Sequence, residues 1–196
     1  MFDLESVSHR MTNRLLKEVE MDPIQKAKAE YGLSLVLGVA SELILTVGAA
    51  FFLGTALYTF MIMISALALR IFSGGAHCSS FRRCFVFTLV VFIAASLLIK
   101  AMVLSMEFNS IIGISLLLAG VSLFLMWRPK RSAITVWVVF GLALPIIGLL
   151  TPTYASGLEI LALSSTVGIT IQAFMGNAYG EKFVLLSDNL MKQLRI

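Results

Sequence analysis

The chain has 196 residues, of which 59% are hydrophobic and 13% are charged, and its mean hydropathy is +0.95. This composition excludes an ordinary soluble domain and indicates an integral membrane protein. The net charge of +4 does not point to nucleic acid, because Lys and Arg in a membrane protein mainly set its topology. The expected partner is the lipid bilayer.

The first 22 residues mix apolar and charged side chains. Leu4, Val7, Met11 and Leu15 fall near one helical face, which predicts an amphipathic helix in the membrane interface, with a polar arm as the alternative. The N-terminus is charged and lacks the short apolar stretch of a cleavable signal. We therefore expect the first spanning helix to remain as an anchor.

A helix is predicted to begin at Pro23, because Asp22 suits the N-cap and Gln25 the capping-box position. From residue 31 to residue 69 only Glu42 is charged, and this run is about twice the length that crosses a bilayer. It predicts two spans joined by a turn around residues 48–54. A carboxylate in mid-span usually faces a protein interior or a cavity. Glu42 is therefore a substrate contact, a hydrogen-bond partner of the polar segment that follows at residues 70–84, or a protonated or hydrogen-bonded packing residue.

Residues 70–84, here called the His–Cys segment, form a polar stretch between long apolar runs. The segment contains His77, Cys78 and Cys84, and a cysteine becomes nucleophilic beside a histidine, a cation or a helix N-terminus. His77 and Cys84 would be about 10 Å apart along one straight helix. Contact between them therefore requires the backbone to fold back before Cys84.

The sequence of the segment allows that fold-back. Gly74 and Gly75 permit backbone conformations that are closed to other residues, and Ser79 and Ser80 are N-cap candidates for a helix that carries Cys84 in its first turns. Arg82 and Arg83 are then expected to favour the thiolate, together with the helix dipole.

Four further spans are predicted, at residues 85–106 and 111–127, from Ser132 onward with a kink at Pro145, and at residues 158–175. Lys100 is expected to extend toward the interface. An apolar stripe in the tail predicts a second interfacial helix and consists of Phe183, Leu186, Leu190 and Leu194.

The distribution of Lys and Arg along the chain tests the predicted arrangement of the six spans. Five cations lie before Tyr31, three in the His–Cys segment, three between the fourth and fifth spans and three in the tail, leaving only Lys100 elsewhere. The positive-inside rule then places both termini and the His–Cys segment in the cytoplasm. The predicted fold is an all-α membrane protein with six transmembrane helices. Its parts are an interfacial segment at 1–22, a six-span domain at 23–182 and a cytoplasmic tail at 183–196.

The pattern Arg-x-x-Ser-Gly-Gly-x-His-x6-Cys, from Arg70 to Cys84, resembles the signature of the AgrB (accessory gene regulator B) family. The patch of Glu30, Tyr31 and Gly32 is also similar. Members of this family are bacterial membrane cysteine endopeptidases that process the AgrD propeptide into a cyclic quorum-sensing signal. The resemblance implies an AgrD-like propeptide as substrate, the bacterial cell membrane as location, no cofactor and a homodimer.

Carried over by residue, the resemblance makes His77 and Cys84 the catalytic pair. The expected supporting residues of the segment are Arg70, Ser73, Gly74, Gly75, Arg82 and Arg83. The expected contacts to the substrate, whose tail is acidic in the family, are Glu42, Arg128, Lys130 and Arg131. Gln172 and Asn177 are the candidates for a third residue that orients the histidine.

Two other classes of function stay open on the residues alone. His77, Cys78 and Cys84 could bind a metal, although structural zinc sites have four protein ligands. The polar residues Glu42, Lys100 and Gln172 within apolar runs suit a transporter, or packing. Cys78, which directly follows His77, is predicted to be a small buried apolar residue.

Overall fold

The computed structural model describes residues 10, 22–76, 78–126, 130–151 and 157–194. Most of these residues are helical and none is in a strand, and they include six helical spans that are long and apolar enough to cross a membrane. The prediction of an all-α membrane protein is therefore confirmed. The predicted amphipathic helix of residues 1–22 lies almost entirely outside the described residues.

The helices are numbered here in chain order. They are α1 (Pro23–Phe52), α2 (Ala56–Ser73), α3 (Phe81–Ser105), α4 (Phe108–Leu125), α5 (Arg131–Trp137), a π-helical turn (Val138–Ala143), α6 (Leu144–Leu150), α7 (Leu158–Met175) and α8 (Ala178–Gln193). Together, α5, the π-helical turn and α6 make the fifth span, Arg131–Leu150.

The first turn lies at the C-terminal end of the predicted range of residues 48–54. Helix α1 begins at Pro23 as expected but continues through Gly48 to Phe52. The chain reverses at Leu53 and Gly54, where Gly54 has a φ of 64° and the Thr55 amide donates to the Ala50 carbonyl at 2.9 Å. Only the second glycine of the predicted turn takes the left-handed conformation that favours glycine.

The chain divides into two compact units, Met1–Leu45 and Thr46–Ile196. In the described part of the first unit, the Ser41 hydroxyl donates to the Gly38 carbonyl within α1 at 2.8 Å, and Glu42 is half-buried. The second unit holds the remaining spans and the whole His–Cys segment.

Helix α7 is the centre of the second unit. More than half of this span is buried, and it packs against α2 and α4. The contact with α2 is close, because a Cβ atom added at Gly168 would overlap the Ser65 hydroxyl and the Ile62 carbonyl. Small residues permit such close approach of helices within a membrane.

The fifth span is irregular before Pro145, where the sequence predicted a kink. A proline lacks the N–H group that a regular helix needs and it crowds the preceding turn, and here the turn before it is π-helical. The Phe140 carbonyl in this turn accepts a hydrogen bond from the Ser165 hydroxyl of α7 at 2.7 Å. A side chain of a neighbouring helix thus binds a carbonyl of the irregular turn, as is typical of interrupted membrane helices.

The structure also describes the Lys100 side chain and the apolar stripe predicted for the tail. Lys100 donates to the Leu53 carbonyl at 3.2 Å, so it binds the turn between α1 and α2. The predicted apolar stripe in the tail lies on α8 and is exposed, whereas Gly180, Val184, Asp188 and Met191 form the buried face. Helix α8 begins at Ala178, so the predicted boundary between residues 182 and 183 falls within it.

Candidate functional site

The glycines after α2 turn the chain away from the helix. Gly74 has a φ of 72°, which suits glycine, and its amide closes the last turn on the Arg70 carbonyl at 2.9 Å. The buried Gln172 amide group donates from Nε2 to the Gly74 carbonyl at 2.6 Å and to Ser73 Oγ at 3.2 Å. Arg70 Nη2 donates to the Ala76 carbonyl at 3.1 Å. These bonds fix the backbone that leads to residue 77.

Helix α3 begins where the serines predicted. Ser80 is the N-cap, and its Oγ accepts from the Arg83 amide at 3.4 Å. The Cys84 amide donates to the Ser80 carbonyl at 3.0 Å, so Cys84 is the fourth residue of the helix. Its half-buried thiol therefore lies in the first turn, where the helix dipole favours an anion.

Both cysteines line a cavity of about 40 Å³ at the inner side of this turn. That volume has room for a few water molecules but not for a peptide segment. The other lining residues come from α2, α3, α7, α8 and the segment and are Arg70, Ala76, Phe87, Thr88, Val91, Phe92, Ile171, Gln172, Met175 and Val184. The cavity therefore joins the catalytic candidate Cys84 to two polar side chains, Arg70 and Gln172.

The Cys78 thiol is more than the buried apolar group predicted from the sequence. Burial, the neighbouring charges of Cys84 and Asp188, and a hydrogen bond with Cys84 raise the pKa of Cys78 from 9.0 to about 11, against the opposing effect of Arg83. Cys78 is thus a neutral thiol beside Cys84 at physiological pH.

Asp188 of α8 joins the segment to the C-terminal helix. Its Oδ1 accepts from Arg83 Nε at 2.7 Å, and its Oδ2 accepts from Ser79 Oγ at 2.8 Å and from Lys192 Nζ at 3.0 Å. Arg83 Nη2 also donates to Ser79 Oγ at 2.8 Å. We call Ser79, Arg83, Asp188 and Lys192 the Asp188 cluster.

The carboxylate of this cluster stays ionised. Burial opposes the charge of Asp188, but hydrogen bonds from Ser79, Lys192 and Arg83 and the Lys192 charge outweigh it and hold the pKa well below its usual range. Arg83 is paired with Asp188, and Arg82 is exposed. The predicted effect of these two arginines on the Cys84 thiolate stays a prediction. Asp188 is absent from the predicted site residues because nothing near it in sequence belongs to the His–Cys motif.

The remaining predicted site residues are not all brought together. His77 and Arg128 lie outside the described residues, and Lys130 and Arg131 are exposed at the start of α5. Glu42 belongs to the first unit. Asn177 caps α8, because its Oδ1 accepts hydrogen bonds from the amides of Tyr179 and Gly180 at 2.9 and 3.0 Å. This side-chain oxygen is therefore already bound to the first turn of the helix.

Metal ligation was the open alternative for this segment. Within the described ranges, which omit His77, no three His, Cys, Asp or Glu side chains are grouped closely enough to hold a metal ion. Cys78 and Cys84 are the two sulfur ligands that the described part of the segment could offer.

Comparison with known proteins gives a consistent result. The family model for accessory gene regulator B matches residues 8–175. The accessory gene regulator protein B of Staphylococcus lugdunensis is 34% identical over 85 residues, which cover 43% of this chain and 45% of that protein. The alignment thus spans less than half of that relative, and no solved structure matches the chain. Because the family model covers most of the chain, including the whole His–Cys segment, the protein belongs to the accessory gene regulator B (AgrB) family.

Proposed function

We propose that this chain is a membrane cysteine endopeptidase that removes the C-terminal tail of an AgrD-like propeptide and promotes closure of a thiolactone or lactone ring. Family membership supports a role in processing the accessory gene regulator propeptide. The observation that carries the finer proposal is the position of Cys84, half-buried in the first turn of a capped helix and beside a small, mostly apolar cavity that Arg70 and Gln172 also line. That environment favours a thiolate.

In the proposed reaction His77 takes the proton from Cys84 Sγ, and the thiolate attacks the carbonyl carbon of the scissile peptide bond. The C–N bond breaks, the tail leaves as an amine with the proton from His77, and a thioester joins Cys84 to the signal segment. The thiol or hydroxyl of the substrate then gives its proton to His77 and attacks the thioester carbon. The bond from that carbon to Cys84 Sγ breaks, the ring closes and Cys84 leaves as the thiolate. Tethering of that group favours ring closure over hydrolysis.

Residues in the His–Cys segment and on α7 support this chemistry by fixing the backbone of the segment. The hydrogen bonds from Arg70 and Gln172 hold the turn at Gly74 and Ala76, which leads into His77. Gly75 leaves room for Gln172 to reach this turn, since a Cβ atom at position 75 would lie 3.2 Å from Gln172 Nε2. The small cavity excludes a peptide, so the scissile bond is expected to reach Cys84 from the exposed side of the segment.

The location of the protein, its orientation in the membrane, its substrate contacts and its assembly belong to the same proposal. In this proposal the protein lies in the bacterial cell membrane with both termini and the His–Cys segment in the cytoplasm, and the cation distribution supports that orientation. Lys130 and Arg131 are exposed and suit an acidic tail, and Arg128 and Glu42 are further substrate contacts in this scheme. A homodimer is the assembly that the family resemblance implies.

Three variants test the catalytic assignment. Cys84→Ala and His77→Ala should each lower tail cleavage by at least about a thousandfold, because each removes a group the covalent step needs. Cys78→Ala is the matched control and should keep most of the activity, since that thiol is neutral. The measurement uses the full chain in lipid vesicles with an AgrD-like propeptide that has an acidic tail, and intact mass spectrometry follows the tail, the ring and any adduct on Cys84.

Each outcome has a definite reading. A covalent adduct on Cys84 and a cyclic product support the proposal. Cleavage that survives in Cys84→Ala contradicts the nucleophile assignment, and a wild-type product that is only linear contradicts the cyclisation step.

A further inference from the structure

Asp188 is a buried carboxylate that the proposed mechanism does not use. It lies on α8, more than a hundred positions after the segment in sequence, and only 4% of its side chain is exposed. Its two oxygens accept three charge-assisted or hydroxyl hydrogen bonds of 2.7–3.0 Å. Bonds of this kind are short and strongly directional, so they fix the groups that make them.

The two partners of Asp188 in the segment stand next to the two cysteines. Ser79 directly follows Cys78, and Arg83 directly precedes Cys84. The bond from Arg83 Nη2 to Ser79 Oγ closes a ring of hydrogen bonds among these side chains. One carboxylate on α8 therefore holds both ends of the short stretch that separates Cys78 from Cys84.

Helix α8 is positioned by contacts that do not involve Asp188. Asn177 caps its first turn, and Gly180 packs so closely on the end of α7 that a Cβ atom there would overlap the Phe174 carbonyl. The Phe183 ring packs edge-on against Phe87 of α3 and Phe174 of α7, with centroid distances of 5.8 and 6.1 Å. Helix α8 is thus a rigid anchor for Asp188, and substitution of Asp188 leaves these other contacts of α8 in place.

We propose that Asp188 is a positioning residue, which aligns Cys84 for attack by holding Ser79 and Arg83 against α8. This inference rests on the proposed function, because Cys84 has to be the nucleophile for its alignment to matter. Asp188 touches neither the scissile bond nor the sulfur in this scheme. A displacement of about 1 Å of a reacting group can cost about a hundredfold in rate, so the cluster is expected to act on kcat.

The test compares substitutions that break the cluster with a control on the same helix. Asp188→Asn keeps the side-chain shape and removes the charge, and it should lower kcat for tail cleavage about 10- to 100-fold with little change in KM. Asp188→Glu restores the carboxylate and should recover part of that loss. Glu181→Gln removes an equal charge from the exposed face of α8 and should behave like the wild type.

Two further variants keep the test decisive if Asp188→Asn does not fold in detergent. Arg83→Lys keeps the charge but loses the two-pronged contact, and Ser79→Ala removes one bond to Asp188. Each should lower the kcat of the folded protein several-fold, and the folded fraction, taken from the thermal unfolding midpoint beside that of Glu181→Gln, corrects kcat for the stability that the lost bond costs. Measurements of kcat, KM and the unfolding midpoint are made on the full chain in lipid vesicles or detergent.

The outcomes separate this proposal from the one on which it rests. Normal kcat in folded Asp188→Asn, or a loss explained entirely by a smaller folded fraction, overturns the positioning role while Cys84→Ala remains inactive. A rise in KM alone also overturns it, because that result would indicate a substrate contact. If Cys84→Ala cleaves as well as the wild type, the proposed function itself is wrong.

Discussion

The neighbouring Cys78 and Cys84 thiols have different environments. Cys84 lies in the first turn of α3, where the dipole favours its anion, whereas burial and the charge and hydrogen bond of Cys84 keep Cys78 protonated. A thiol reacts with alkylating agents as its thiolate. The environment thus makes two cysteines six residues apart chemically distinct.

This difference predicts the order of alkylation. A rise in the pKa of Cys78 from 9.0 to about 11 lowers its thiolate fraction about a hundredfold at neutral pH. Iodoacetamide at pH 7.5 should therefore modify Cys84 first, and the Cys78 rate should rise only as the pH nears 11. Peptide mapping by mass spectrometry measures both rates.

The matched control for this prediction is Cys84→Ala. That change removes the charge and hydrogen bond of Cys84 but keeps the burial, so Cys78 should react faster than in the wild type and more slowly than in unfolded protein. Faster modification of Cys78 than of Cys84 in the native wild type would contradict the assigned environments.

At the scale of single residues, features that depend on neighbours in sequence could be predicted, whereas features that depend on distant contacts could not. Ser80 as N-cap and Gly74 as the turn residue follow from their neighbours in sequence, and the structure confirms both. Asp188 reads from sequence as one more charge on an interfacial helix, since Ser79 and Arg83 are more than a hundred positions away. Its spacing with Val184 and Met191 on one face was the available signal, because those apolar residues are buried beside it.

At the scale of elements, apolar length predicted the spans better than their ends. Helix α7 matches its prediction at both ends, and α3 begins four residues before the predicted third span because the Ser80 cap extends it through Arg82 and Arg83. Turn positions depend on which glycine takes a positive φ. After α1 the turn forms at Gly54, and its neighbour Leu53 accepts a hydrogen bond from Lys100, a distant contact that the sequence does not reveal.

The crossing of α2 and α7 gives a prediction for stability. A methyl group at Gly168 would overlap the Ser65 hydroxyl and the Ile62 carbonyl, so Gly168→Ala must push the helices apart. Overpacking of this kind costs about 1–3 kcal/mol. The thermal unfolding midpoint of the purified protein should fall, and cleavage should fall with it because α7 carries Gln172.

Gly120 of α4 provides the control for this change. A Cβ atom there has no neighbour within 4 Å, and the position is exposed. Gly120→Ala should therefore leave the midpoint unchanged or raise it slightly, since alanine favours helix by up to about 1 kcal/mol. Equal midpoints for the two variants would show that the α2–α7 contact is looser than described.

At the scale of the whole molecule, the six spans follow from hydropathy, whereas their orientation rests on charge alone. The cations cluster at one set of span ends, which the positive-inside rule assigns to the cytoplasm. The Asp188 cluster lies at that end too, because it joins α8 to the beginning of α3. Orientation therefore decides whether the proposed site meets a newly made propeptide in the cytoplasm.

Helix α4 offers a direct test of that orientation, because exposed residues stand at both of its ends. Glu107 precedes Phe108–Leu125 and Lys130 follows it, so one apolar span separates them. In a background without cysteines, Glu107→Cys should react with a membrane-impermeant maleimide added to intact cells, and Lys130→Cys should react only after the membrane is permeabilised. Labelling of Lys130→Cys alone in intact cells would reverse the orientation and place the Cys84 site outside the cytoplasm.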